Sequence, residues 1–141
     1  MRFIIEDTNE HAGQWTARYI VNRILEHRAK TDKPFVLGLP TGSTPLSTYK
    51  ELINLYKEGK VSFSNVEIYT IDEYYPAPAD SQSRNRRLYE DFMAHVDIRP
   101  ENVFVPKVTE LHDSTYVTEF CVAYDAKASG LDLLVMGIGE N

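Results

Sequence analysis

Two stretches of this sequence carry side chains whose type and spacing suit chemistry on a small anion. The first is Pro40-Thr41-Gly42-Ser43-Thr44-Pro45. Gly42 lets the backbone approach a ligand closely, and Thr41, Ser43 and Thr44 supply hydroxyl donors. A helix opening at Pro45 and capped by Thr44 would aim free N–H groups, and the positive end of its dipole, at the same place. The second stretch is Asp72-Glu73, adjacent acids directly after an apolar run. Neighbours on a strand point to opposite sides, so one acid can face a site while the other supports it. An aspartate held beside a bound sugar phosphate suits general-base work. Each stretch also has a plainer reading: a capped strand-to-helix turn for the first, a helix cap or solvated turn for the second.

Other candidates are weaker. Gly137-Ile138-Gly139 permits close backbone approach to a ligand, but it lacks the remainder of a dinucleotide fingerprint. No Gly-Lys-Ser/Thr follows residues 40–45, so that turn is not a P-loop. The four histidines, His11, His27, His95 and His112, are not paired at metal-ligand spacing. With Cys121 the single cysteine, a zinc site is not expected. Arg84, Arg86 and Arg87 form a basic cluster. It reads either as a solvated helix face or as a second contact for an anionic substrate or a partner subunit. Adjacent acids at one strand end do not flank a glycosidic bond, which disfavours a two-carboxylate glycosidase.

Positioning these residues requires alternating strands and helices. Residues 2–5 read as a short strand. A helix follows to about His27, with Asp7 and Glu10 in a capping box and Ala17, Ile20, Val21, Ile24 and Leu25 as its apolar stripe. The run 35–39 (FVLGL) suits a strand covered on both faces. Leu46, Tyr49, Leu52, Ile53 and Tyr56 then recur at helical spacing up to Gly59. Residues 66–71 (VEIYTI) are strand-like. A helix is expected from about Ser83 to His95, a short strand at 102–105, and a helix near 114–129 with Tyr116, Phe120, Cys121 and Tyr124 on its core side. A buried strand at 131–136 (LDLLVM) closes the order. This alternation predicts one α/β domain over 1–141 with a doubly wound, mostly parallel sheet. In such sheets ligands bind beyond the carboxyl ends of the strands, where residues 40–44, 72–74 and 137–141 would converge. The chain ends inside its last glycine-rich turn, so it is expected to be the N-terminal part of a longer polypeptide.

Composition narrows the class. A net charge of −6 argues against a nucleic-acid binder but not against a ligand with one phosphate. Hydrophobic residues make up 43% of the chain, enough for a packed core. No apolar stretch approaches the roughly 20 residues needed to cross a bilayer, so no membrane partner is expected. A lone cysteine suggests a reducing compartment, and a soluble cytoplasmic protein is the expectation.

The combination of FVLGLPTGSTP (35–45), Thr48-Tyr49-Lys50, Val61-Ser62-Phe63, Ile71-Asp72-Glu73-Tyr74, His95-Val96-Asp97-Ile98, Pro100-Glu101-Asn102 and Gly137-Ile138-Gly139 resembles the glucosamine-6-phosphate deaminase/isomerase family along essentially the whole chain. The resemblance implies an isomerase/CoA-transferase-like, Rossmann-like fold. It also implies conversion of glucosamine 6-phosphate and water to fructose 6-phosphate and ammonia, with no metal or organic cofactor. Asp72 would move the C2 proton, and the substrate would be held by Pro40, Thr41, Gly42, Ser43, Thr44, Glu73, Gly137 and Gly139. Members are often oligomers, so a homo-oligomer is an expectation.

Three departures stand out. Asn141 occupies the position of an acid in typical deaminases, and an asparagine can hydrogen-bond but cannot exchange a proton. The family's ring-opening histidine, a glutamate and further phosphate-binding cations would lie beyond Asn141. Residues 75–87 differ from the usual loop. The alternatives are a 6-phosphogluconolactonase-like hydrolase, which shares the fold and the glycine-rich turns, and a non-catalytic sugar-phosphate binder.

Overall fold

The computed structural model describes residues 3–76, 83–106 and 112–137. Strands β1 (Phe35–Leu39), β2 (Val66–Thr70), β3 (Val103–Phe104) and β4 (Leu133–Leu134) form one sheet in the order β3-β2-β1-β4. Every pairing is parallel, with Leu39 opposite Thr70, Gly38 opposite Leu134 and Tyr69 opposite Phe104. The helices are α1 (Asn9–Arg28), α2 (Leu46–Lys57), α3 (Arg84–Asp91) and α4 (Ser114–Ala128), with short 3-10 turns at Met93–His95 and Pro100–Asn102.

The core lies on one face of the sheet. Phe35, Leu37 and Leu39 of β1 alternate with outward positions, as do Val66 and Ile68 of β2. They are buried in one cluster with Ala17, Ile20 and Ile24 of α1, Tyr49 and Leu52 of α2, and Leu88 of α3. Burial of each large aliphatic side chain contributes about 1.5–3 kcal/mol. α1 meets α2 backbone-first: a Cβ at Gly13 would lie 2.3 Å from Ser47 Oγ and 2.7 Å from its carbonyl carbon. On the opposite face Tyr69 stacks on Phe104 at 4.6 Å and meets the edge of Tyr124 in α4 at 5.9 Å. Helices therefore cover both faces, as the doubly wound expectation requires. The order reverses between β1 and β4, which makes their carboxyl ends the topological switch point.

Asp97 ties two distant segments. It accepts from Ser62 Oγ and from the N–H of Phe63, both at 2.6 Å. That contact joins the turn before β2 to the segment after α3.

Several expectations are corrected. Residues 3–5 form no strand and lie exposed, Phe3 at 79% and Ile5 at 93%. The cap of α1 is Thr8, whose Oγ1 accepts from the N–H of His11 at 3.1 Å, so the Asp7–Glu10 box is one residue out of phase. Thr44 caps nothing: Pro45 is the cap residue of α2, without a side-chain cap bond, and the helix starts at Leu46. α4 has no buried residue, and β4 is a short, part-exposed edge strand instead of a buried one over 131–136. Both elements sit at the sheet's margins, where apolar composition does not guarantee cover.

Candidate active site

The parallel register brings three chain turns to one edge. β1 runs into Pro40, β2 into Ile71 and Asp72, and β4 into Val135, Met136 and Gly137. The N–H of Ile71 donates to Leu39 O at 3.4 Å, and that of Val135 to Gly38 O at 3.0 Å. Between the turns lies a cleft of about 430 Å³, with Pro40, Thr41, Thr44, Asp72, Arg84 and Gly137 in its lining. That volume is in the range of small-molecule sites.

The loop after β1 is held from below. The Tyr49 hydroxyl donates to the carbonyl of Pro40. Burial, and then the charge of Asp91, push that hydroxyl well above the usual tyrosine range, so it stays a neutral donor. Its ring stacks on Phe92 at 5.3 Å, and Phe92 meets Phe63 edge-on at 5.2 Å. Gly42 has φ of +116°, with open space where a Cβ would be. That backbone conformation favours glycine, and the loop remains unobstructed there. The first-turn N–H groups of α2, at Ser47 and Thr48, are of the kind a helix leaves without intrahelical partners; both residues line the cleft.

The two acids after β2 separate in role. Asp72 turns into the cleft, its side chain 49% exposed, with Oδ2 3.2 Å from Arg84 Nε. Glu73 turns the other way. Its carboxylate accepts from Ser83 Oγ at 2.7 Å and from the N–H groups of Tyr74, Arg84 and Asn85 at 2.9, 3.0 and 3.1 Å. Burial alone would raise its pKa. The donors, led by the Arg84 N–H and the Ser83 hydroxyl, outweigh burial and hold the carboxyl below its ordinary value. Glu73 is expected from sequence to bind substrate; its carboxylate is instead spent on the start of α3. The end of β2 is pinned as well: the Tyr124 hydroxyl reaches Thr70 O at 2.8 Å and Phe104 O at 3.1 Å.

Sequence reasoning left Arg84 between two readings, and the structure puts it in the cleft. Besides pairing with Asp72, its Nη1 donates to Thr41 Oγ1 at 3.1 Å and its guanidinium lies 4.8 Å from the Tyr74 ring centroid. The Ser83 cap ahead of it was the signal that could have fixed its direction. Of the other expected residues, Gly42 and Ser43 belong to the same loop but do not line the cleft as it stands. Gly139 and Asn141 lie outside the described residues, and Gly137 is at the cleft's margin. None of the described histidines lines the cleft: His27 and His95 approach the carbonyls of Lys33 and Glu90, each at 3.0 Å, and His112 stacks on Tyr116. Among the described residues no group of three or more His, Cys, Asp or Glu side chains could hold a metal, and no helix is long and apolar enough to cross a membrane.

Residues 7–141 match the family described as glucosamine-6-phosphate isomerases/6-phosphogluconolactonase. The glucosamine-6-phosphate deaminase of Aliivibrio fischeri is 42% identical over 100% of this chain and 53% of its own length. That of Parabacteroides distasonis is 42% identical over 100% of this chain and 52% of its own. The chain thus spans about half the length of the curated relatives it matches. Among solved structures, a monomeric glucosamine-6-phosphate deaminase superposes with a TM-score of 0.86 at 30% identity, covering 100% of this chain and 56% of that one. A 6-phosphogluconolactonase from Thermotoga maritima does so with a TM-score of 0.72 at 25% identity, covering 97% and 59%. Fold, strand-end cleft and sequence agree, and the chain belongs to the glucosamine-6-phosphate isomerase/6-phosphogluconolactonase family.

Proposed function

We propose that this chain carries the phosphate-binding and proton-transfer half of an aminosugar-phosphate isomerase/deaminase, acting on glucosamine 6-phosphate and water to give fructose 6-phosphate and ammonia. The observation that supports the reading is the meeting, in one cleft, of the Thr41 turn and the Asp72 carboxylate. The phosphate monoester is held at residues 40–44, by hydroxyls and by the first-turn N–H groups of α2. The Asp72 carboxylate then takes the proton from the amino-bearing C2 and returns it to C1. O1 gains a proton as the nitrogen gives one up, so the carbonyl character moves to C2 as an imine, which water hydrolyses to the ketone and ammonia. A positioned carboxylate accelerates such a step by about 10²–10⁴-fold. Gly137, which lines the same cleft, borders the sugar.

Residues 1–141 alone are expected to bind the substrate without turning it over, since the relatives carry about as much chain again. A chimera of residues 1–141 with the remaining half of the Aliivibrio fischeri relative supplies the test. It should release ammonia from glucosamine 6-phosphate, and Asp72→Asn should slow release by about 10²–10⁴-fold. Equal turnover in the two proteins removes Asp72 from the mechanism. Hydrolysis of 6-phosphogluconolactone without ammonia release would transfer the reading to the lactonase branch of the family.

A further inference from the structure

Among the described residues lining the cleft, Arg84 is the one cation and Asp72 the one acid. The guanidinium spans them and the phosphate loop: Nε is 3.2 Å from Asp72 Oδ2, and Nη1 donates to Thr41 Oγ1 at 3.1 Å. Its backbone is fixed at the first position of α3, where the Arg84 N–H donates to Glu73 at 3.0 Å. The side chain therefore swings from an anchored base. The pair is open to water, with side chains 31% and 49% exposed, and an ion pair so exposed holds its partners only weakly. A phosphate monoester offers the same planar fork a doubly charged, bidentate partner, which is a stronger match than one half-exposed carboxylate.

We propose that Arg84 is a substrate-binding residue that changes partners. A phosphate monoester arriving at Thr41 draws the guanidinium away from Asp72 and leaves that carboxylate free to face the sugar. This inference rests on the sugar-phosphate reading of the cleft.

Calorimetric titration of the 141-residue chain at low salt tests it, with glucosamine 6-phosphate, inorganic phosphate and phosphate-free glucosamine as probes. Arg84→Gln should weaken both phosphate-bearing probes by roughly 10- to 100-fold, the loss of charge-assisted hydrogen bonds. Arg84→Lys should fall between, because an ammonium is a point charge without the fork. Asp72→Asn should tighten both probes, and by a larger factor when Arg84 is present than when it is replaced. Thermal unfolding of each variant checks that the fold is intact. Native affinity for the phosphate probes in Arg84→Gln overturns the inference and leaves the sugar-phosphate reading standing. An equal loss for phosphate-free glucosamine, or an Asp72→Asn gain independent of Arg84, also overturns it. Failure of the native chain to bind any of the three probes overturns both.

Discussion

Replacing Glu73 by glutamine tests whether one carboxylate organises the start of α3. In the native protein it accepts from Ser83 Oγ at 2.7 Å and from three backbone N–H groups at 2.9, 3.0 and 3.1 Å. A glutamine keeps one acceptor oxygen and turns an amide NH₂ toward donors. Loss of a helix cap costs about 0.5–2 kcal/mol. Hydrogen bonds to a charged group are worth more, about 1.5–3 kcal/mol, but Glu73 is only part-buried and solvent offsets much of that. The expected loss is about 2 kcal/mol, a fall in unfolding midpoint of roughly 8 °C for a chain of this size.

The pH dependence follows from the sign of the shift. Glu73 in the folded protein titrates below its ordinary value of 4.5. The unfolded chain therefore takes up the proton first as pH falls. The stabilisation is complete above 4.5 and is lost as pH drops through the folded value. The gap between native and Glu73→Gln proteins should be widest near neutrality and shrink in acid. Urea unfolding from about pH 7 to about pH 3 reads it directly, and hydrogen exchange at the Arg84 and Asn85 amides should quicken in the variant. A gap constant across that span, or no gap at all, refutes the argument.

Two further outcomes come from the supports of the site. Tyr49→Phe removes the donor to the buried Pro40 carbonyl and should cost about 1–3 kcal/mol by calorimetry; a variant as stable as the native protein would show that the carbonyl has another partner. Asp97→Asn weakens the tie to Ser62 and Phe63, and should lower stability by roughly 1–2 kcal/mol while speeding exchange of the Phe63 amide. Unchanged exchange there would mean that the carboxylate does not hold the turn.

The sequence revealed the elements whose signals are local. β1 reads as a strand because its run is apolar on both faces, β2 because its residues are β-branched and aromatic, and α2 because Leu46, Tyr49 and Leu52 recur at helical spacing. The turn at 40–45 and Asp72 were identifiable as residues of chemical interest, and the parallel order made their meeting predictable. What was missed depended on partners remote along the chain. Arg84 looked like one of three arginines on a helix, because Asp72 and Thr41, which draw it inward, belong to two other loops. Glu73 looked like a ligand contact, because its four donors come mostly from the start of a helix beyond the intervening loop. α4 and β4 were over-read as core. Their apolar residues are real, but hydrophobicity does not say whether an element lies at the middle or the margin of a sheet.

The contact between Gly13 and Ser47 reaches further than its size suggests. Both residues border the cleft, and the atom nearest in kind to an immovable obstacle is a carbonyl carbon of the main chain. A methyl at position 13 could not be absorbed by turning a side chain aside; α2 itself would have to retreat, carrying the amides of its opening turn with it. The spacing between ligand and amides is thus written partly into an early helix that contributes no reactive group. Sequence changes there would surface as altered affinity before they surfaced as misfolding.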